Sequence, residues 1–370
     1  MGRKAKRAPA QQDREQYIQR VVREQVRKLS AYHVPPAQGM IKLDAMENPY
    51  RWPAALADKW LQELRNIPLN RYPDPTAGEL VTQLRNTLDI PEAAGVLLGN
   101  GSDELIQMMA LASAGLPVLS PTPSFVMYQM IATFVGSPFI DVPLRKDFSL
   151  DRDALLAQIK TQQPALIFFA YPNNPTGNLF DRDVVEAAIE LTTGLVVVDE
   201  AYQPFADDSW MGQVMDYPNL VVMRTFSKLG LAGLRLGYLV GHPAWLDEFN
   251  KVRMPYNINV LTQTSIRFAL QHAEVFTQQA VKICSERERM FSIMNDLPNI
   301  EVFPSATNFL LFRVAPGASQ VFDGLYSKNI LIKNLHKTHS ALENCLRVTV
   351  GTSEENEAFL SALAALLEGN

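Results

Sequence analysis

Six short apolar runs, at residues 96–98, 117–120, 165–170, 195–198, 220–223 and 236–240, punctuate the middle of the chain. Each stops abruptly at glycine, proline or a polar residue. Continuous runs of this length predict strands buried on both faces, because half-exposed strands alternate. Helical periodicity fills most of the intervals, so the region predicts a mainly parallel sheet with helices on both faces. In such sheets ligands sit outside the carboxyl ends of the strands. Past residue 241 the pattern changes. A long helical region covers 244–295, short apolar runs follow at 300–303, 309–312, 330–332 and 346–350, and a helix closes the chain over 354–367. This predicts a second, smaller α+β domain. Nearer the start, the spacing predicts a helix over 17–29, a short strand and turn over 43–50, and an amphipathic helix over 80–88. The expected division is a basic arm at 1–30, a segment at 31–60 that completes the small domain, a large domain at 61–250 and a small domain at 251–370.

Chemistry concentrates where the predicted strands end. The run at 220–223 breaks into Arg224-Thr225-Phe226-Ser227-Lys228, and a glycine-containing link leads through Arg235 to the next strand. A lysine at the end of a buried strand needs a reason, since lysine is rarely buried without a partner. Burial favours its neutral, nucleophilic form, which suits a Schiff base. Thr225, Ser227 and Arg235 around it suit a phosphate. Upstream, Gly99-Asn100-Gly101-Ser102-Asp103 is a strand, a glycine turn and a helix start, which places free backbone N–H groups and a positive helix end at one point. It is no dinucleotide fingerprint, because no third glycine follows. Asp199 follows four aliphatic residues, and a carboxylate there is costly without a partner. Asn174, Asp199 and Lys228 all fall at predicted strand ends.

Composition narrows the classes. The chain has 370 residues, 47% hydrophobic and 20% charged, with a net charge of −5. These values fit a globular protein and argue against a generic nucleic-acid binder. Two separated cysteines, Cys284 and Cys345, exclude a disulfide framework and suit a reducing cytoplasm. No apolar run reaches membrane-spanning length, and the five histidines form no strong metal motif, so no metal is expected. Residues 1–30 hold nine Lys or Arg against three acids and lack an apolar core of the signal-peptide type.

Asn174-Pro175-Thr176-Gly177, Asp199-Glu200-Ala201-Tyr202, Thr225-Phe226-Ser227-Lys228 and Ala232-Gly233-Leu234-Arg235 resemble, in order, the signature set of the fold-type-I pyridoxal-phosphate aminotransferases. Glu47-Asn48-Pro49-Tyr50, Arg71-Tyr72-Pro73, residues 99–104 and residues 346–352 are similar to the histidinol-phosphate branch of that superfamily. The resemblance implies a large domain with a mainly parallel seven-stranded sheet flanked by helices, a smaller α+β domain and pyridoxal 5′-phosphate as cofactor. It implies that Lys228 carries the cofactor and shuttles a proton, that Asp199 pairs with the pyridine nitrogen, and that Asn174 and Tyr202 bind the ring oxygen. Phe125 would stack on the ring. Ser102, Asp103, Thr225, Ser227 and Arg235 would hold the phosphate, with Tyr72 reaching the site of a neighbouring subunit in a homodimer with shared sites. The implied substrates are histidinol phosphate and 2-oxoglutarate or glutamate. One pocket must then accept phosphate and carboxylate in turn, for which Arg347 is the main candidate, with Lys333, Tyr32 and Asn48 around it. Lys333 stands where some relatives carry arginine, and the link from Lys228 to Arg235 is one residue shorter than in many of them. The alternatives on the same fold are an aromatic amino-acid aminotransferase and a threonine-phosphate decarboxylase. An alternative of another class, a non-catalytic regulator, has no need of Lys228.

Overall fold

The structure, a computed structural model, describes residues 11–31, 36–315 and 317–368, with side chains from residue 14 onward. After a two-residue strand, β1 (Ile41–Lys42), come β2 (Gly95–Asn100), β3 (Val118–Thr122), β4 (Phe139–Pro143), β5 (Leu166–Ala170), β6 (Leu195–Asp199), β7 (Leu220–Thr225) and β8 (Leu236–Gly241). These last seven form one sheet in the order β2-β8-β7-β6-β5-β3-β4. Strands β3 to β7 run parallel, and β8 is antiparallel to both β7 and β2. The apolar runs mark all of these except β4. That strand lies at the sheet edge, where exposed Asp141 and Pro143 interrupt any continuous run.

The central strands are apolar throughout because both faces are covered. Phe169, Val196 and Val198 point into a core with Leu155, Ile159, Val185 and Ile189. Phe168, Val197 and Val221 point the other way, onto Leu105, Met109, Tyr128 and Ile131. Successive strand residues alternate between these cores. Emptying either Phe168 or Phe169 to alanine costs roughly 3–5 kcal/mol.

The second sheet is antiparallel. Its strands are β9 (Ile300–Val302), β10 (Phe309–Val314), β12 (Lys333–Asn334) and β13 (Cys345–Thr349), while β11 (Ile330–Leu331) pairs in parallel with β1. Leu43 and Met46 join its core, so the segment after β1 packs with the C-terminal strands. The segment over 43–50 is not the expected strand. It is irregular, and Met46 has a positive φ of 53°. The helix Val260–Leu270, expected with the C-terminal domain, instead packs on Ala54–Leu64 and Gly78–Thr87, and Ile266 and Ala269 enter the core of the large sheet. The helix expected over 17–29 is two helices, Gln11–Val21 and Glu24–Arg27. Arg23 between them is extended, at ψ 144°, and donates to the carbonyl of Phe134 near the end of the helix Met127–Val135. That bond satisfies one of the carbonyls a helix end leaves unpaired.

Candidate active site

Asn174, Asp199 and Lys228 meet beyond the carboxyl ends of β5, β6 and β7. With Ser102, Asp103, Phe125, Tyr202, Thr225, Ser227, Arg235 and Met46 they line one cavity, partly open to solvent.

One corner of it is built for an anion. The helix Ser102–Ala112 begins there with no side-chain cap, so its first N–H groups are left for a ligand. Glycines allow the approach. A Cβ on Gly237 of β8 would lie 2.6 Å from the Ser102 nitrogen. One on Gly101, at φ 81°, would lie 2.6 Å from an Arg235 nitrogen. Arg235 reaches across to the Ser227 hydroxyl at 3.5 Å and to the Asp103 carboxylate at 3.5 Å. The Thr225 hydroxyl accepts from the Ser227 backbone N–H at 3.1 Å. The link from Lys228 to Arg235 is not an open loop. It winds into two short helical segments, Ser227–Leu231 and Ala232–Leu234, with Gly230 at φ 112° and Arg235 at φ 51°. This compact path is how the shorter link closes.

Lys228 donates to the Ala45 carbonyl at 3.2 Å. Its amine lies 5.7 Å from the centre of the Tyr202 ring. Burial, reinforced by the positive charge of Arg347, lowers its pKa to about 8. A useful fraction is therefore neutral near pH 7–8, as a nucleophile and proton acceptor requires. At the floor, Asp199 is buried and its pKa is raised by desolvation to about 6. One oxygen accepts from the Ala201 N–H at 3.1 Å and the other from the Tyr128 hydroxyl at 2.7 Å. Sequence reasoning gave Tyr128 no role. The signal that pointed to it was its place one helical turn after Phe125, against which it packs edge-on at 5.5 Å. Behind the floor, Glu200 and Arg224 form a buried ion pair at 2.8 Å.

The small sheet contributes from the other side. Arg347 is buried in the middle of β13, and its guanidinium donates to the Asn174 side chain at 2.6 Å and to the Asp44 carbonyl at 3.1 Å. Asn174 in turn donates to the Tyr202 hydroxyl at 3.1 Å. Arg347 is thus no surface ion pair. Lys333 lies beside it on β12, paired with it in register, and burial followed by Arg347 lowers its pKa.

Not every expected residue lines this cavity: Arg347 meets its wall through Asn174, and neither Arg347 nor Lys333 is a lining residue. Asn48 donates to the Leu229 carbonyl at 3.2 Å and to Gln279 at 3.0 Å, and accepts from Tyr50 N–H at 2.9 Å. These bonds fasten the N-terminal segment to the turn after Lys228 and make Asn48 a positioning residue in this geometry. Tyr72 is 80% exposed and stacks on Tyr256 at 4.5 Å, outside the cavity of its own chain. Tyr32 lies outside the described residues. Among the described residues no group of His, Cys, Asp or Glu forms a metal cluster, and no helix is long and apolar enough to cross a membrane.

Residues 38–363 match the family described as aminotransferase class I and II. The chain belongs to this family. Among curated relatives, it is 53% identical to histidinol-phosphate aminotransferase 2 of Cupriavidus pinatubonensis, over 95% of this chain and 98% of that one. It is 52% identical to histidinol-phosphate aminotransferase 1 of Ralstonia nicotianae, over 98% of each. The fold is similar to the crystal structure of histidinol-phosphate aminotransferase from Sinorhizobium meliloti in complex with pyridoxal-5′-phosphate, with a TM-score of 0.83 at 24% identity, covering 94% of this chain and 97% of that one. In this aminotransferase, then, the seven-stranded sheet carries the lysine, the carboxylate and the anion corner, and the small sheet brings Arg347 to Asn174 in the cavity wall.

Proposed function

We propose that this aminotransferase moves the amino group of L-histidinol phosphate to 2-oxoglutarate, giving imidazole acetol phosphate and glutamate, in cytoplasmic histidine biosynthesis, with pyridoxal 5′-phosphate as cofactor. The observation that carries the reading is the convergence, in one cavity, of a lysine of lowered pKa, a buried carboxylate and an uncapped helix end, with a buried arginine of the second sheet bonded to Asn174 in its wall. The curated relatives support the substrate and do not favour the decarboxylase or the aromatic enzyme.

The residues present fit the cofactor. The anion corner of Ser102, Asp103, Thr225, Ser227 and Arg235 suits its phosphate. Phe125 offers an apolar face for its ring, and Asn174 and Tyr202 offer polar atoms for its ring oxygen. Asp199, buried and held by two neutral donors, suits a protonated ring nitrogen. When bound, pyridoxal phosphate supplies an electrophilic carbon and an electron-withdrawing ring.

The chain's own residues do the rest. Lys228 presents its Nζ as nucleophile, and once displaced it carries a proton to and from the substrate carbon, a task suited to an amine titrating near working pH. Asp199 holds positive charge at the floor, an interaction worth most when charge develops on the ring. Phe125 and Met46 wall off water. Arg347 presents a planar fork that matches carboxylate and phosphate alike, which one pocket serving both substrates requires. Lys333 adds a point charge on the phosphate side.

We further propose a homodimer in which Tyr72 completes the partner's site. Its exposure and its place outside its own cavity support this. Mixing an inactive Lys228→Ala chain with an inactive Tyr72→Ala chain should restore one site in each verified heterodimer, about half of the sites there. No recovery would mean that each subunit is self-contained. The function itself is tested by glutamate formation from 2-oxoglutarate, which should require both histidinol phosphate and added pyridoxal phosphate in dialysed protein. Glutamate formation without histidinol phosphate would contradict it.

A further inference from the structure

We infer that Tyr128 is a positioning residue that keeps Asp199 ionised and fixes its orientation, so that the acid limit of the reaction is set by a tyrosine hydroxyl. This rests on the function proposed above. Three observations carry it. The Tyr128 hydroxyl donates to an Asp199 oxygen at 2.7 Å, and both side chains are buried. The Tyr128 ring is clamped, stacked on Phe168 at 4.7 Å and 12° and edge-on to Phe125 at 5.5 Å, so the donor cannot swing away. The other Asp199 oxygen accepts from the Ala201 N–H, so the Tyr128 hydroxyl is the side-chain donor to this carboxylate among the described residues.

The surroundings give such a donor work to do. Burial raises the Asp199 pKa, and Asp103 and Glu200 push it in the same direction. Glu200 is itself paired with Arg224. Lys228, Arg235 and Tyr202 are the other titratable groups that line the cavity with Asp103 and Asp199. A cation beside Asp199 would also hold it ionised, but would compete with the ring nitrogen for its charge. A neutral hydroxyl stabilises the anion and leaves the charge for the ligand. Tyr128 suits this because burial and Asp199 raise its own pKa well above the ordinary value, so it remains a donor at every working pH.

The test is Tyr128→Phe, which keeps the ring and both aromatic contacts. Pyridoxal phosphate binding to the cofactor-free protein is followed by fluorescence quenching from pH 5 to 9, alongside the pH profile of kcat. In the variant the acid limb of both curves should move up by about one pH unit, with kcat falling more than KM changes. In an Asp199→Asn background no group titrates at the floor, so adding Tyr128→Phe should leave the binding curve's pH dependence unchanged. A Tyr128→Phe curve that overlays the parent overturns the inference while the proposed function stands. So does an equal loss of affinity in both backgrounds, the signature of a merely structural tyrosine. If the parent binds no pyridoxal phosphate, the function and the inference fail together. A thermal melt of each variant confirms folding, and the parent-versus-variant shift is read on the folded fraction.

Discussion

Lys228→Ala abolishes turnover, by about 10⁴-fold or more, and leaves a folded protein. Both proposed roles of the amine are lost at once, because nucleophile and proton carrier would be the same atom. Among the described residues the amine makes one hydrogen bond, to the Ala45 carbonyl, so the fold keeps its other ties. The variant should in fact be more stable than the cofactor-free parent at pH 7. The parent amine binds its proton less tightly folded, at about 8, than unfolded, near the ordinary lysine value of 10.5. Its charged form therefore disfavours folding fully below about pH 8, and this penalty disappears as pH rises through 10.5. Melting curves of the cofactor-free proteins at pH 7 and pH 10.5 should show a higher Tm for the variant that converges at the alkaline end. Borohydride treatment of the loaded parent should leave a stable label on the peptide containing Lys228, and a label on a different lysine would defeat the assignment.

Arg347→Ala weakens both half-reactions by about 10²–10³-fold, the range for removing a buried, hydrogen-bonded charge that meets a ligand anion. The residue touches Asn174 and the Asp44 carbonyl, so the change also loosens the tie between the small sheet and the cavity. Lys333→Ala should act more narrowly. Lysine is a point charge without the bidentate fork, and its loss should slow the histidinol-phosphate half-reaction by about tenfold while sparing the glutamate one. Single-turnover rates of each variant with each donor separate the two roles. Unchanged rates in Arg347→Ala would remove it from the pocket.

Much of this arrangement is legible in the sequence because its physics is local. Buried parallel strands write themselves as continuous apolar runs, and a polar residue that ends such a run is already at the ligand-binding edge. Asp199 and Lys228 were readable for that reason, as was the glycine turn at Gly101 before the Ser102 helix, while the close approach of Gly237 to Ser102 was not. What stayed hidden depends on contacts far apart in the chain. Asn48 looks like a substrate ligand in its motif, yet its amide is taken by Leu229 and Gln279, more than 180 positions away. Tyr128 meets Asp199 across 71 positions. The helix Val260–Leu270 follows the switch in sequence pattern but packs on the large sheet, because pattern reports periodicity and not the neighbour that covers a face. The edge strand β4 has too few apolar residues to announce itself.

The central claim is that one pocket serves a phosphate-bearing amine and a dicarboxylic one. It is met most directly by single-turnover absorbance measurements on the protein loaded with pyridoxal phosphate, mixed in turn with L-histidinol phosphate, L-glutamate and L-phenylalanine. Rapid conversion of the cofactor by histidinol phosphate and by glutamate, with phenylalanine slower than both, is the predicted result. A faster reaction with phenylalanine than with histidinol phosphate, or no reaction with histidinol phosphate, would contradict it.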